Sequence, residues 1–224
     1  MLVVYHGVDS YIISLTVYGL SEMTKLDLSK ELKGVYMAKK TPKLIDVPRG
    51  TFLAIDGKGD PNGEEYPEAM GALYGAAYTL KFHYKALGLD FKVMALEGLW
   101  WIEDGVFDMD NPAPRGQWRW TSMIRVPDYV KQDAFDDVFP GLLEKRGEKV
   151  REVKLVMFDE GLSAQIIHIG PYSEEAPIIN KFHEWVSEQG YRLRGKHHEI
   201  YMSDPRRTKP ENLKTIIRHP VEKR

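Results

Sequence analysis

The chain has 224 residues and a formal net charge of −2, with 31 Lys/Arg spread among 33 Asp/Glu. That balance excludes the basic stripe of a nucleic-acid binder and the acidic tail of a solvating segment. The absence of cysteine excludes disulfides, thiolate nucleophiles and Cys-based zinc or iron–sulfur sites together.

Residues 1–40 read as an N-terminal extension. Residues 1–22 match no later pattern. Tyr11–Leu20 is apolar but has no basic flank and no small-residue cleavage site, which argues against a signal peptide and leaves the cytoplasm as the expected location. No apolar run approaches the roughly 18 residues that cross a bilayer, so no membrane partner is expected. Leu28, Leu32, Val35 and Tyr36 fall at helical spacing and predict a short amphipathic helix, ended by Thr41-Pro42. Lys43–Gly57 predicts a strand interrupted at Pro48-Arg49-Gly50. After the turn Gly57–Asn62, Asn62 and Glu65 have capping-box spacing. Met70, Leu73, Tyr74, Ala77, Leu80 and Tyr84 then mark one face of a helix that ends near Gly88. Strands are predicted over Phe91–Glu103 and Gln117–Val126, with a Gly/Pro-rich hairpin between them and Pro127 after them. Residues 128–150 read as a connecting helix that Pro140 is placed to kink or restart.

The same order then recurs. Arg151–Phe158 and Leu162–Ile169 read as strands, and Ser173 as the N-cap of a helix presenting Ile179, Phe182, Trp185 and Val186 and stopping at Gly190. His197–Ser203 and Asn212–Arg218 are the last strands, closed by Pro220. Three alignments anchor the recurrence: Ile55–Gly57 on His168–Gly170, Leu96–Gly98 on His198–Ile200, and Ile124–Pro127 on Ile217–Pro220. The expected fold is α+β: two tandem βαββ units, residues 43–127 and 151–220, related by a pseudo-twofold axis. Antiparallel sheet with helices on one face would leave a central ligand cleft at the seam.

The second alignment matches two carboxylates, Glu97 and Glu199. Strand alternation makes His197, Glu199 and Tyr201 project together. A carboxylate among aromatic rings is costly to ionise unless paired, and suits proton transfer or cation binding. Pairing with Arg119, Arg125 or Arg218 at the sheet surface is the structural alternative. Trp100, Trp101, Trp118 and Trp120 crowd one hairpin and are expected to wall the cleft, together with Tyr74 and Tyr172, for flat or cationic ligands. Core packing is the competing role for each tryptophan. Gly57-Lys-Gly59 lacks phosphate-loop spacing, and Gly161-Leu-Ser163-Ala-Gln165 lacks a nucleophile elbow. His197 and His198 point to opposite faces with no third ligand at a suitable spacing, so neither metal nor cofactor is expected.

Ile167–Tyr172, Glu199-Ile-Tyr201 and Ile217–Pro220 resemble the GyrI-like small-molecule-binding superfamily, over about residues 41–221. Asp56–Asn62 and Leu96–Trp101 resemble its stand-alone branch, some members of which open the cyclopropane of DNA-alkylating antibiotics. The resemblance implies a hydrolase in which Glu199, with Glu97, positions water while Tyr201 or a histidine hydrogen-bonds the carbonyl that gains electrons. A module that only binds or sequesters aromatic or cationic drugs fits the same residues. The segment before the domain is too short for the DNA-binding half of related regulators, so direct nucleic-acid contact is not expected, and DNA gyrase enters as a partner by superfamily analogy alone.

Overall fold

The computed structural model describes residues 25–103 and 112–224. The segment 1–22 and most of the hairpin tip therefore lie outside the described residues. Among these residues no helix is long and apolar enough to cross a membrane.

Among the described residues nine strands form one antiparallel system: β1 Lys43–Val47, β2 Gly50–Lys58, β3 Leu96–Ile102, β4 Trp118–Val126, β5 Lys154–Phe158, β6 Gly161–Ile169, β7 Tyr191–Leu193, β8 His197–Tyr201 and β9 Lys214–Lys223. The spatial order is β1-β6-β9-β8-β3-β4-β2-β5, with β7 on β9. Each unit thus hands its first strand to the other, β1 to β6 and β5 to β2. Only residues 48–49 join β1 to β2, although these strands stand near opposite ends of the order. Three residue steps span at most about 11 Å, so the sheet must curl until its ends approach. The two-residue link between β5 and β6 demands the same. The sheet is therefore a half-closed trough with one concave face.

The longer helices lie on the other face. Among them α3 (Glu65–Ala86) packs on β2, β4 and the connecting helix α4 (Gln132–Arg146), while α5 (Ala176–Glu188) packs on β6 and β7. Two apolar cores result. Leu53, Ile55, Trp120 and Ile124 meet Ala69, Leu73, Ala76 and Leu80 of α3. Ala164, Ile166 and Ile217 meet Ile179, Phe182 and Val186 of α5. The short helices α1 (Leu28–Glu31) and α2 (Lys33–Tyr36) occupy the expected amphipathic segment, and Val35 and Tyr36 are buried.

Several local expectations are corrected. Asn62 caps nothing: α3 starts at Glu65 without a side-chain cap, and Asn62 donates its backbone N–H to Asp60 Oδ1 at 2.9 Å in a local turn. Ser173 likewise lies in a short 3-10 turn, Tyr172–Glu174, before α5. α4 runs through Pro140 without a break. β9 continues past Pro220 to Lys223, because β7, which the sequence pattern did not reveal, pairs with its end.

The repeat is real, but its register differs from the motif alignment. β1, β2 and the start of α3, at 43–47, 50–58 and 65, recur 111 positions later at 154–158, 161–169 and 176. Gly59 (φ 91°) and Gly170 (φ 145°) then coincide, both in the positive-φ region that the turn before each helix needs. Carried through the ladders, the same operation takes Gly98 onto Glu199, a shift of 101. Glu97 is therefore equivalent to His198, not to Glu199.

Candidate active site

The seam between the halves is the β3–β8 ladder, where Gly98 faces Glu199, Trp100 faces His197 and Leu96 faces Tyr201. Cross-strand partners share a face. Gly98, Trp100, His197, Glu199 and Tyr201 therefore look toward the helices, between the two apolar cores. Glu97, Trp101 and His198 look into the trough.

Trp100 Nε1 donates to the Tyr201 hydroxyl at 3.0 Å across the pseudo-twofold axis. The hydroxyl and the indole approach so closely over Gly98 that a Cβ there would lie 2.7 Å from Trp100 Nε1 and 3.1 Å from the Tyr201 oxygen. Glu199, 8% exposed, accepts from His197 Nε2 at 3.0 Å. From α3, Tyr66 stacks on Trp100 with ring centroids 5.9 Å apart. Before α5, the exposed ring of Tyr172 meets Tyr201 edge-on at 5.7 Å. Burial raises the hydroxyls of Tyr66 and Tyr172 to about 12, with Glu199 adding to each. Burial and Glu199 push Tyr201 further still, so all three stay protonated donors. Tyr74 sits farther out, stacked on Tyr78 at 6.5 Å, its hydroxyl also raised by burial.

Glu175 is the residue the sequence reading missed. It is buried in the link before α5, and its Oε1 has no hydrogen-bond partner. Burial first, then the neighbouring Glu199 carboxylate, push its pKa up to about 9, against a smaller pull from Thr215. The cleft thus holds two acidic side chains, and Glu175 is a neutral acid at physiological pH. Tyr66 was also missed, although it continues the Met70, Leu73, Tyr74 helical face by one turn.

The other expected site residues separate. Glu97 accepts from the Tyr36 hydroxyl at 2.8 Å and bonds His198 Nε2 at 3.1 Å. His198 Nδ1 bonds Glu160 at 2.9 Å, and Arg218 binds Glu160 at 3.1 Å and Gln165 at 3.2 and 3.1 Å. Burial opposes charge on both His198 and Glu160, but their mutual attraction wins, raising His198 to about 9 and holding Glu160 at about 2. This closed network ties the curled sheet together, and Glu97 belongs to it rather than to the cleft. Trp101 also faces the trough, with Lys196 Nζ 3.2 Å above its ring. Trp120 is fully buried beneath Tyr66, with ring centroids 4.9 Å apart, as a core residue. Trp118 is half-buried at the cleft's flank, edge-on to Trp100 at 5.8 Å. A cavity of about 370 Å³ opens on the concave face, lined by Leu99, Met123, Phe158 and Lys196. The buried carboxylate in its wall, Glu160, is already committed to His198 and Arg218.

Residues 40–222 match the family model of the GyrI-like small molecule binding domain. The chain belongs to the GyrI-like family. No curated protein matches it. Among solved structures, it is similar to an uncharacterized conserved protein from Listeria innocua, at 42% identity and TM-score 0.82, over 88% of this chain and 100% of that one. It is also similar to a hydrolase encoded by lin2189 from Listeria innocua, at 40% identity and TM-score 0.79, over 89% and 100%. The EcmrR C-terminal domain, at 14% identity and TM-score 0.53 over 82% and 98%, shares the fold. As a GyrI-like domain this chain belongs to a small-molecule-binding family.

Proposed function

We propose that this GyrI-like protein binds planar, hydrophobic small molecules in the seam cleft and hydrolyses strained electrophiles, cyclopropane-containing DNA alkylators among them, as a detoxifying activity. The observation that carries this reading is the carboxyl pair: Glu199 on the cleft floor beside Glu175, which is held protonated to about pH 9. A carboxyl held protonated beside a second carboxyl places a proton donor next to the group proposed as the base. The similarity to the lin2189 hydrolase supports the same direction.

In this mechanism the planar substrate lies against Trp100, Tyr172 and Tyr201. Glu199 orients a water molecule toward the cyclopropane carbon and takes its proton. The new C–O bond forms as the strained C–C bond breaks, and the electron pair moves through the conjugated ring onto the carbonyl oxygen. That oxygen receives the proton of Glu175, or a hydrogen bond from Tyr201. Ring strain and aromatisation drive the step, so orientation and one acid–base pair suffice.

The cage of Tyr66, Tyr172, Tyr201 and Trp100 around a carboxylate also suits a cation held without turnover. One experiment separates the two readings. The protein is incubated with a cyclopropane alkylator and ring-opened product is measured by mass spectrometry, beside Glu199→Gln. The hydrolase reading expects binding within a few-fold and a rate lower by about 10²–10⁴. Undiminished turnover in the variant would make Glu199 structural; no turnover in wild type, with cation affinity lost in the variant, would make the cleft a drug-binding site.

A further inference from the structure

At the copy-two side of the cleft, three imidazoles from three different elements converge. His197 stands on β8, His219 on β9 and His183 on α5, and one ligand-competent atom of each lies within 4.8 Å of the other two. The ring of His219 is edge-on to His183 at 5.4 Å and to His197 at 6.1 Å. We propose that His183, His197 and His219 bind a divalent transition-metal ion of the zinc class, with Glu199 as the carboxylate that orients His197.

Two observations carry this beyond a packing accident. Nδ1 of His219 is buried with no hydrogen-bond partner, a costly arrangement that a bound cation relieves. Nε2 of His197 lies 3.0 Å from the Glu199 carboxylate. A carboxylate on the far nitrogen is the usual outer partner of a metal-bound histidine.

The geometry closes with small movements. A four-coordinate zinc ion with bonds of 2.0–2.1 Å sets its nitrogens about 3.4 Å apart. Atoms within 4.8 Å need to converge by at most about 1.4 Å, which rotation of three rings on separate elements allows. Imidazole donors without thiolate suit Zn²⁺, Co²⁺, Ni²⁺ or Cu²⁺, and three protein ligands leave a fourth position open.

The test uses the full chain without a polyhistidine tag, stripped with chelator and titrated with Co²⁺, then Zn²⁺ in competition. The expected result is one equivalent of Co²⁺, with the visible absorption of a four-coordinate ion, displaced by Zn²⁺ and accompanied by a higher Tm. His183→Gln, on a half-buried helix position, should weaken binding at least about 100-fold, beyond the 10–100-fold expected of an outer-shell change such as Glu199→Gln. His83→Gln, on α3, should bind like wild type. No saturable binding by wild type, or equal binding by the His183→Gln/His219→Gln double variant, would overturn the proposal. Neither result bears on whether the cleft hydrolyses its ligand.

Discussion

Glu175→Gln separates the protonated-acid reading from an ordinary buried carboxylate. The Glu175 carboxyl has a folded pKa of about 9 against an ordinary value of 4.5. A raised carboxyl pKa contributes stability that is full below pH 4.5 and is lost as pH rises toward 9, because the unfolded chain ionises freely while the native chain keeps its proton. At pH 7 the gap is 2.5 units, on the order of 3 kcal/mol at 1.36 kcal/mol per unit. Glutamine has the shape of the protonated acid and does not titrate. The variant should therefore match wild type near pH 4.5 and exceed it by about 3 kcal/mol at pH 7, a Tm difference of about 6–12 °C for a domain this size. Urea unfolding at pH 5, 6, 7 and 8 reads the divergence directly. The same substitution removes the proton donor, so turnover should fall as stability rises, the usual opposition at a strained site. A stability difference that does not change with pH would refute the assignment of the neutral acid to Glu175.

Gly98→Ala should place a methyl against Trp100 Nε1 and the Tyr201 oxygen, at 2.7 and 3.1 Å, costing about 1–3 kcal/mol in unfolding measurements and weakening ligand affinity; unchanged affinity would mean the Trp100–Tyr201 pair is not part of the cleft. Trp120→Ala should lower stability by about 3–5 kcal/mol, whereas Trp100→Phe should change stability less and ligand-induced fluorescence quenching more; the reverse order would exchange their core and cleft roles. His198→Ala leaves Glu97 and Glu160 without their shared partner and should cost about 3–5 kcal/mol at pH 6. Since the His198 contribution is full below pH 6.5 and lost as pH rises through about 9, that cost should shrink in alkaline unfolding curves, and a cost that grows there would refute a charged His198.

Local patterns carried much of this protein. Alternation on β8 put His197, Glu199 and Tyr201 on one face, and helical spacing located α3 and α5, because both periodicities are properties of a single element. The recurring order of strands and helices, with a glycine turn before each long helix, disclosed the two units for the same reason. What lies between elements was not legible. Which residue of β3 stands opposite Glu199 depends on ladder register, and a motif alignment one residue out was enough to turn Glu97 from cleft partner into a trough residue bonded to His198. The exchange of β1 and β5 between units has no local sequence sign. Nor does the pairing of Glu175 with Glu199, since a link residue becomes a buried acid only when α5 and the seam close over it. The meeting of His183, His197 and His219 has the same origin: chain neighbours set which way a side chain points, but only the folded sheet sets what it points at.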